Sequence, residues 1–307
     1  MNIADRRKRL QAPFHTAPCD GLGACWQRPW AARKLASMPE LPEVETTRRG
    51  LERLIVGRTI ETLVVREPRL RWRVPQSLPA RLEGKRISSL GRRGKYLLIN
   101  VTEGSLLVHL GMSGHLRFLA APEALRVHDH VDVRLVGGGC VRFNDPRRFG
   151  SLHFAAHPER HRLLKDLGPE PLGEDFTVDY LAETSRGRRV AIKQHLMNSR
   201  VVVGVGNIYA SEALFRAGVH PAHAAGRISR TRLERVVAGV RAVLEEAIGL
   251  GGTTLRDFVG GDGRPGYFKL ELRVYDREGA ACEQCGTPIR RTVQGQRASY
   301  YCPRCQR

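Results

Sequence analysis

MPELPEVETTRRGLERLIVG, residues Met38–Gly57, is the stretch from which the fold can be worked out in both directions. Pro42 stands where the first turn of a helix has no use for an N–H, Glu43 and Glu45 lie early, and Arg48, Arg49 and Arg53 lie late. Gly57 then closes the run. The composition is that of a short helix oriented by its own dipole. Upstream, residues 1–37 carry RRKR at Arg6–Arg9 and then Pro, Gly and Cys without apolar periodicity or an uninterrupted apolar segment. They read as a disordered or spurious extension; a targeting or additional DNA-binding role is the other use of such a basic run.

Downstream the hydrophobic period changes from that of a helix to that of strands. TIETLVV, KRISSL, KYLLINV, SLLVHL, HLRFL, HVDVRLV and VRFND are short alternating or β-branched runs divided by Gly, Pro and Asp, so residues 59–155 read as an antiparallel sandwich or barrel. Within it, RLRWR at Arg69–Arg73 reads equally as an edge facing a ligand or as a solvated strand with Trp72 in the core. The stretch LGPEPLG near Gly168–Gly173 is rich in Pro and Gly and separates strand-like from helix-like sequence, which makes it the domain boundary. Helices are then expected from Thr177 through Met197 with an interruption at Gly187, over Asn207–Ala217, and from a Ser229 cap to Gly249. In the last of these, Leu233, Val237, Val240, Leu244 and Ile248 form a core stripe.

The chain has 307 residues and a formal net charge of +20, with 51 Lys and Arg against 31 Asp and Glu. Such an excess, spread along the chain, favours a polyanionic partner, of which nucleic acid is the commonest. No run of eighteen apolar residues is present. Of the seven cysteines, Cys282, Cys285, Cys302 and Cys305 form two C-x-x-C pairs separated by sixteen residues. Each pair offers two thiolates from a tight turn, and four thiolates complete a closed tetrahedral zinc site, structural because no position is left for water. Cys140 reads as a buried thiol. Gly204 and Gly206 invite a dinucleotide-binding reading, but the third glycine and a βαβ unit are missing. A tight turn entering a helix at Asn207 instead offers backbone N–H groups and an amide to one DNA phosphate.

MPELPEVETTRRG at Met38–Gly50 closely resembles the opening of the formamidopyrimidine-DNA glycosylases, bacterial enzymes that repair oxidised purines. The resemblance continues through RRGKYLLI (Arg92–Ile99), HLGMSGHLR (His109–Arg117), HDHVD (His128–Asp132), NDPRRFG (Asn144–Gly150), GVGNIYASEALF (Gly204–Phe215), GGTTLRDF (Gly251–Phe258), DGRPGYF (Asp262–Phe268) and GQRASYYC (Gly295–Cys302). It implies a multidomain α+β fold. An N-terminal helix with a two-sheet β-sandwich would occupy residues 38–170, a helix–two-turn–helix domain 171–270, and a zinc finger 271–307. It implies excision of 8-oxoguanine and formamidopyrimidines from duplex DNA, then β- and δ-elimination at the abasic sugar. One structural zinc, and no redox or nucleotide cofactor, would be needed. The partner would be damaged double-stranded DNA rather than a membrane, and the enzyme a monomer in the bacterial cytoplasm.

The family's nucleophile falls on Pro39, whose secondary amine can attack C1′ of the damaged nucleotide once Met38 is gone. Glu40 falls on the general acid and Glu43 on a supporting carboxylate. Lys95 and Arg297 fall on the lysine near the lesion and the finger arginine that assists elimination. His128, Arg147, Arg189 and Asn207 correspond to DNA contacts, and Met112, Arg147 and Phe149 to the residues that fill the gap left by a flipped base. An amide nitrogen has no free lone pair, so this chemistry expects an active protein beginning at Pro39. Two rivals stand beside this reading: a glycosylase for oxidised pyrimidines, whose branch opens PEGPE rather than PELPE, and a damage-recognition protein without catalysis.

Overall fold

The computed structural model describes residues 39–251 and 272–307. The leader 1–37, GGTTLRDF beyond Gly251, and DGRPGYF lie outside the described residues. Helix α1 (Leu41–Ile55) begins as the sequence suggests: Glu40 is its extended N-cap, Pro42 lies in its first turn, and Gly57 follows its end. The face carrying Val44, Leu51 and Ile55 is buried in the core of a sandwich. At about 1.5–3 kcal/mol for each large aliphatic side chain removed from water, three such residues anchor the helix to the sheets.

Eight antiparallel strands follow: β1 (Ile60–Val65), β2 (Ile87–Arg93), β3 (Tyr96–Val101), β4 (Gly104–His109), β5 (His115–Leu119), β6 (Asp129–Leu135), β7 (Cys140–Asn144) and β8 (Ser151–Ala155), with the short helix α2 (Leu78–Leu82) between the first two. They form two four-stranded sheets ordered β1-β6-β7-β5 and β2-β3-β4-β8, so the arrangement is a sandwich and not a barrel. In β3 the alternation is that of a half-buried strand, with Leu97, Ile99 and Val101 inward. Cys140 is only half-buried. RLRWR lies outside the strands, with an isolated bridge between Arg69 and Arg73. Its backbone is irregular, and the guanidiniums of Arg71 and Arg162 stand 4.8 and 5.2 Å from the ring of the half-buried Trp72.

The second half is helical: α3 (Val178–Ser185), α4 (Ile192–Leu196), α5 (Asn207–Ala217) and α6 (Arg230–Gly249). The interruption expected at Gly187 is wider, since α4 starts only at Ile192. Ser229 occupies the N-cap of α6, but its hydroxyl makes no capping bond. Leu233, Val237, Val240 and Leu244 are buried as the stripe requires, while Ile248 is half-exposed near the helix end. A terminal hairpin, β9 (Arg290–Gln294) and β10 (Arg297–Tyr301), packs Ile289, Tyr300 and the thiols of Cys282 and Cys302 around Phe215 of α5. Among the described residues no helix is long and apolar enough to cross a membrane.

Candidate active site

The start of α1 and the start of α5 meet. Leu41 N–H donates to the Gly204 carbonyl at 3.2 Å, which brings the Glu40 carboxylate over the first turn of α5, where Ile208 N–H donates to its Oε1 at 3.0 Å. The approach explains Gly206: a Cβ there would stand 2.2 Å from the Glu40 carboxyl carbon. It also changes the expected use of this helix N-terminus, because an N–H expected to serve a DNA phosphate already serves Glu40. The Asn207 side-chain Nδ2 lies 3.3 Å from the Tyr275 hydroxyl, and its Oδ1 is buried with no hydrogen-bond partner among the described residues.

Glu40 is 1% exposed. Its N–H donates to Glu43 Oε2 at 2.9 Å, and the Tyr209 hydroxyl donates to Glu43 Oε1 at 2.7 Å, so Glu43 fixes the turn rather than facing outward. Glu40 Oε2 is buried and has no hydrogen-bond partner among the described residues. Burial raises the Glu40 pKa above the ordinary carboxylate value; the Lys95 charge opposes this, Glu43 adds to it, and the N–H groups of Ile208 and Gly206 oppose it. A buried carboxyl that binds its proton more tightly than usual, with one oxygen unengaged among the described residues, is suited to general acid work. Pro39, half-buried, immediately precedes it.

Lys95 projects from the β2–β3 turn, which Glu170 holds by accepting from Gly94 N–H at 2.7 Å, Arg92 at 2.7 Å and Arg93 at 3.1 Å. Lys95, Tyr96, His109, Arg162 and Arg200 line a cavity of about 310 Å³. Burial, then the charges of Lys95 and Arg71, push His109 down to about 4, so its imidazole is neutral at physiological pH. A second cavity of about 260 Å³ is lined by Lys193, Asn207, Gln294, Arg297 and Ser299 among others.

Lys193 and His109 were not singled out by the sequence. Lys193 is 1% exposed and donates to the Ala298 carbonyl and the Ser299 hydroxyl, both at 2.9 Å. Burial pushes it down to about 7, with Glu40 opposing and Arg297 reinforcing the fall. Its neighbours Ile192, His195 and Leu196 are buried too, so no periodicity distinguishes this lysine from a solvated one. His109 likewise looks like the polar end of a strand. Arg297 itself is exposed at the start of β10, within electrostatic reach of Lys193 and Tyr275.

The expected gap-filling residues come from two adjacent loops. Met112 is half-buried between β4 and β5; Arg147 and Phe149 are exposed between β7 and β8, with the Arg147 guanidinium 4.9 Å from the Phe149 ring. His128 is exposed before β6 at φ +73°, and its carbonyl accepts from Asp145 N–H at 3.1 Å. Arg189 is exposed between α3 and α4, on a different element from these loops. In the hairpin, the sulfurs of Cys282, Cys285, Cys302 and Cys305 lie within 4.8 Å of one another. The pairs Cys282–Cys305 and Cys285–Cys302 are 3.9 and 3.5 Å apart. A tetrahedron with zinc–sulfur bonds of about 2.3 Å has edges of about 3.8 Å, so the four thiols fit one structural zinc.

Three family models match successive parts of the chain: the formamidopyrimidine-DNA glycosylase N-terminal domain over residues 38–152, the formamidopyrimidine-DNA glycosylase H2TH domain over 167–259, and the zinc finger found in FPG and IleRS over 279–307. The formamidopyrimidine-DNA glycosylase of Thioalkalivibrio sulfidiphilus is 59% identical over 271 residues, 88% of this chain and 100% of that protein; that of Stutzerimonas stutzeri is 56% identical with the same coverage. The crystal structure of the MutM (Fpg) protein of Thermus thermophilus superposes with a TM-score of 0.77 at 41% identity, covering 87% of this chain and 98% of that one. A Lactococcus lactis Fpg mutant in complex with Fapy-dG containing DNA gives 0.80 at 33% identity, covering 88% and 100%. With its helix-capped sandwich, helical domain and four-cysteine finger all matched in order, the chain belongs to the formamidopyrimidine-DNA glycosylase family.

Proposed function

We propose that this protein excises oxidised purines from duplex DNA and cleaves the resulting abasic site through a covalent intermediate on Pro39, acting as a monomer in the bacterial cytoplasm. The observation that carries the reading is the buried Glu40 carboxyl, one oxygen unengaged among the described residues, within electrostatic reach of Lys95 and directly after Pro39. The neutral Pro39 nitrogen attacks C1′, the bond from C1′ to the damaged base breaks, and the base leaves with a proton. Glu40 protonates the sugar ring oxygen as the ring opens, leaving an iminium between Pro39 and C1′. That cation withdraws electrons from C2′, so that water takes the C2′ proton, the C–H electron pair forms a C2′–C3′ double bond and the C3′–O bond breaks. The 3′ phosphate then departs, and the 5′ phosphate follows by the second elimination. Lys95 and Arg297 balance charge on the departing phosphates, and Asn207, His128, Arg147 and Arg189 hold the duplex. Zinc holds the hairpin that presents Arg297.

The division of labour follows the segments proposed from sequence: residues 38–170 carry the chemistry, 171–270 grip the duplex, and 271–307 close over the lesion phosphates. The test is a duplex with one 8-oxoguanine beside a duplex with one oxidised pyrimidine. Release of 8-oxoguanine with a one-nucleotide gap bearing phosphate on both sides is the expected result. Faster release of the oxidised pyrimidine would overturn the substrate assignment, and tight binding without base release would overturn the catalytic one.

A further inference from the structure

Met112 and the pair Arg147 and Phe149 can act on one opened base pair only if their two loops keep a fixed relation. The structure provides one hydroxyl that binds both. Ser113 Oγ–H donates to Asp145 Oδ1 at 2.7 Å, and the same oxygen accepts from Arg147 N–H at 3.2 Å. Asp145 is 0% exposed, and its other oxygen accepts from Gly150 N–H at 2.7 Å, at the far end of the same loop. Its carbonyl accepts from Arg148 N–H at 3.1 Å and stands 2.8 Å from His130 Nε2. Arg148 is held at φ +55°, a left-handed conformation a non-glycine residue adopts only when its surroundings impose it. The backbones also touch: Gly111 has φ +71°, and a Cβ there would lie 2.4 Å from the Phe149 carbonyl carbon and the Gly150 nitrogen.

We infer that Ser113 is a positioning residue for base flipping, coupling the Met112 loop to the Arg147–Phe149 loop through the Asp145 carboxylate so that the three fillers enter the duplex as one unit. The inference rests on the gap-filling role proposed for those side chains. Ser113 itself touches neither DNA nor the reacting atoms in this scheme. Removing its hydroxyl strands a buried carboxylate oxygen and the Arg147 N–H, and the loop loses its register with Met112. A hydrogen bond to a charged group is worth enough for about a tenfold effect or more on a step that depends on its geometry.

The experiment compares Ser113→Ala, Ser113→Thr and Phe149→Ala by single-turnover excision of 8-oxoguanine and by fluorescence of a base analogue beside the lesion. Affinity for undamaged duplex and the thermal midpoint are measured in parallel. Expected are an excision rate about tenfold lower and a weaker unstacking signal for Ser113→Ala, duplex affinity within about twofold of the unaltered protein, and recovery of most of the rate by Ser113→Thr, which keeps the hydroxyl. Adding Ser113→Ala to Phe149→Ala should slow excision by a smaller factor than Ser113→Ala alone. If Phe149→Ala is slow while Ser113→Ala opens and excises normally, the coupling role is wrong and the filler role stands. If Phe149→Ala itself changes nothing, both fall. Loss of undamaged-duplex affinity in proportion to excision, with a lowered thermal midpoint, marks a merely structural serine and overturns the inference.

Discussion

Glu40 carries a conflict between stability and chemistry. Its pKa in the folded protein lies above the ordinary carboxylate value because burial outweighs the help of Lys95 and two backbone N–H groups. The folded state therefore binds that proton more tightly than the unfolded state does. This contribution to stability is fully present below the ordinary pKa and is lost as pH rises through the folded one. Glu40→Gln, neutral at every pH, should accordingly raise the thermal midpoint at pH 8 and leave it nearly unchanged at pH 4, while glycosylase activity collapses. Scanning calorimetry at the two pH values checks this; a variant less stable at pH 8 would mean that Glu40 is a satisfied structural carboxylate. The same raised pKa places loss of the general acid on the alkaline side of the rate profile, opposite to the gain from deprotonating the Pro39 amine.

At the scale of elements, the zinc hairpin is held at two places. Its cysteines close one end, and Lys193 of α4 binds the Ala298 carbonyl and Ser299 hydroxyl beside Arg297. So few residues have too little core to hold a hairpin without metal. Cys302→Ser should lower zinc from about one per chain toward none and weaken duplex binding, while the sandwich keeps its melting transition. Zinc analysis with differential scanning fluorimetry reads both; full duplex affinity in metal-free protein would contradict it. The cysteine pairs were legible in sequence because ligand spacing is local. So were α1, α5 and the strands, whose apolar periods are written in a few residues each. Lys193 was not, because what makes it special is the absence of water, supplied by β10 more than a hundred residues away. The Asn207 turn was legible in sequence, but the use of its Ile208 N–H was not: Glu40, distant in sequence, takes it.

Over the whole molecule, the excess of Lys and Arg over Asp and Glu along the chain sets general affinity for DNA, and the site sets where the protein stops. Arg189→Ala should weaken lesion-bearing and intact duplexes by the same factor and reduce the slope of log affinity against log salt by about 0.9, the signature of one lost phosphate contact. Fluorescence anisotropy across a salt series measures it; an unchanged slope would remove Arg189 from the interface. The alternation of strand and helix signals separated a strand-rich part from a helix-rich one but left sandwich and barrel open, and the two-sheet arrangement came with the family resemblance. The cavities were not legible, because they lie where distant segments converge: Lys95 with His109 and Arg200, and Lys193 with Asn207 and Arg297.

The covalent route through Pro39 is the claim on which the rest depends. Its direct measurement is borohydride trapping on a duplex with one abasic site, using protein whose first residue is verified as Pro39 and protein that retains the residues before it, followed by peptide mapping of the adduct. Expected is a sugar remnant on the Pro39 nitrogen in the first protein and no trapped species in the second, where that nitrogen is an amide. An adduct mapped instead to Lys95 or Lys193, or efficient trapping by protein with Pro39 still in peptide linkage, would contradict it.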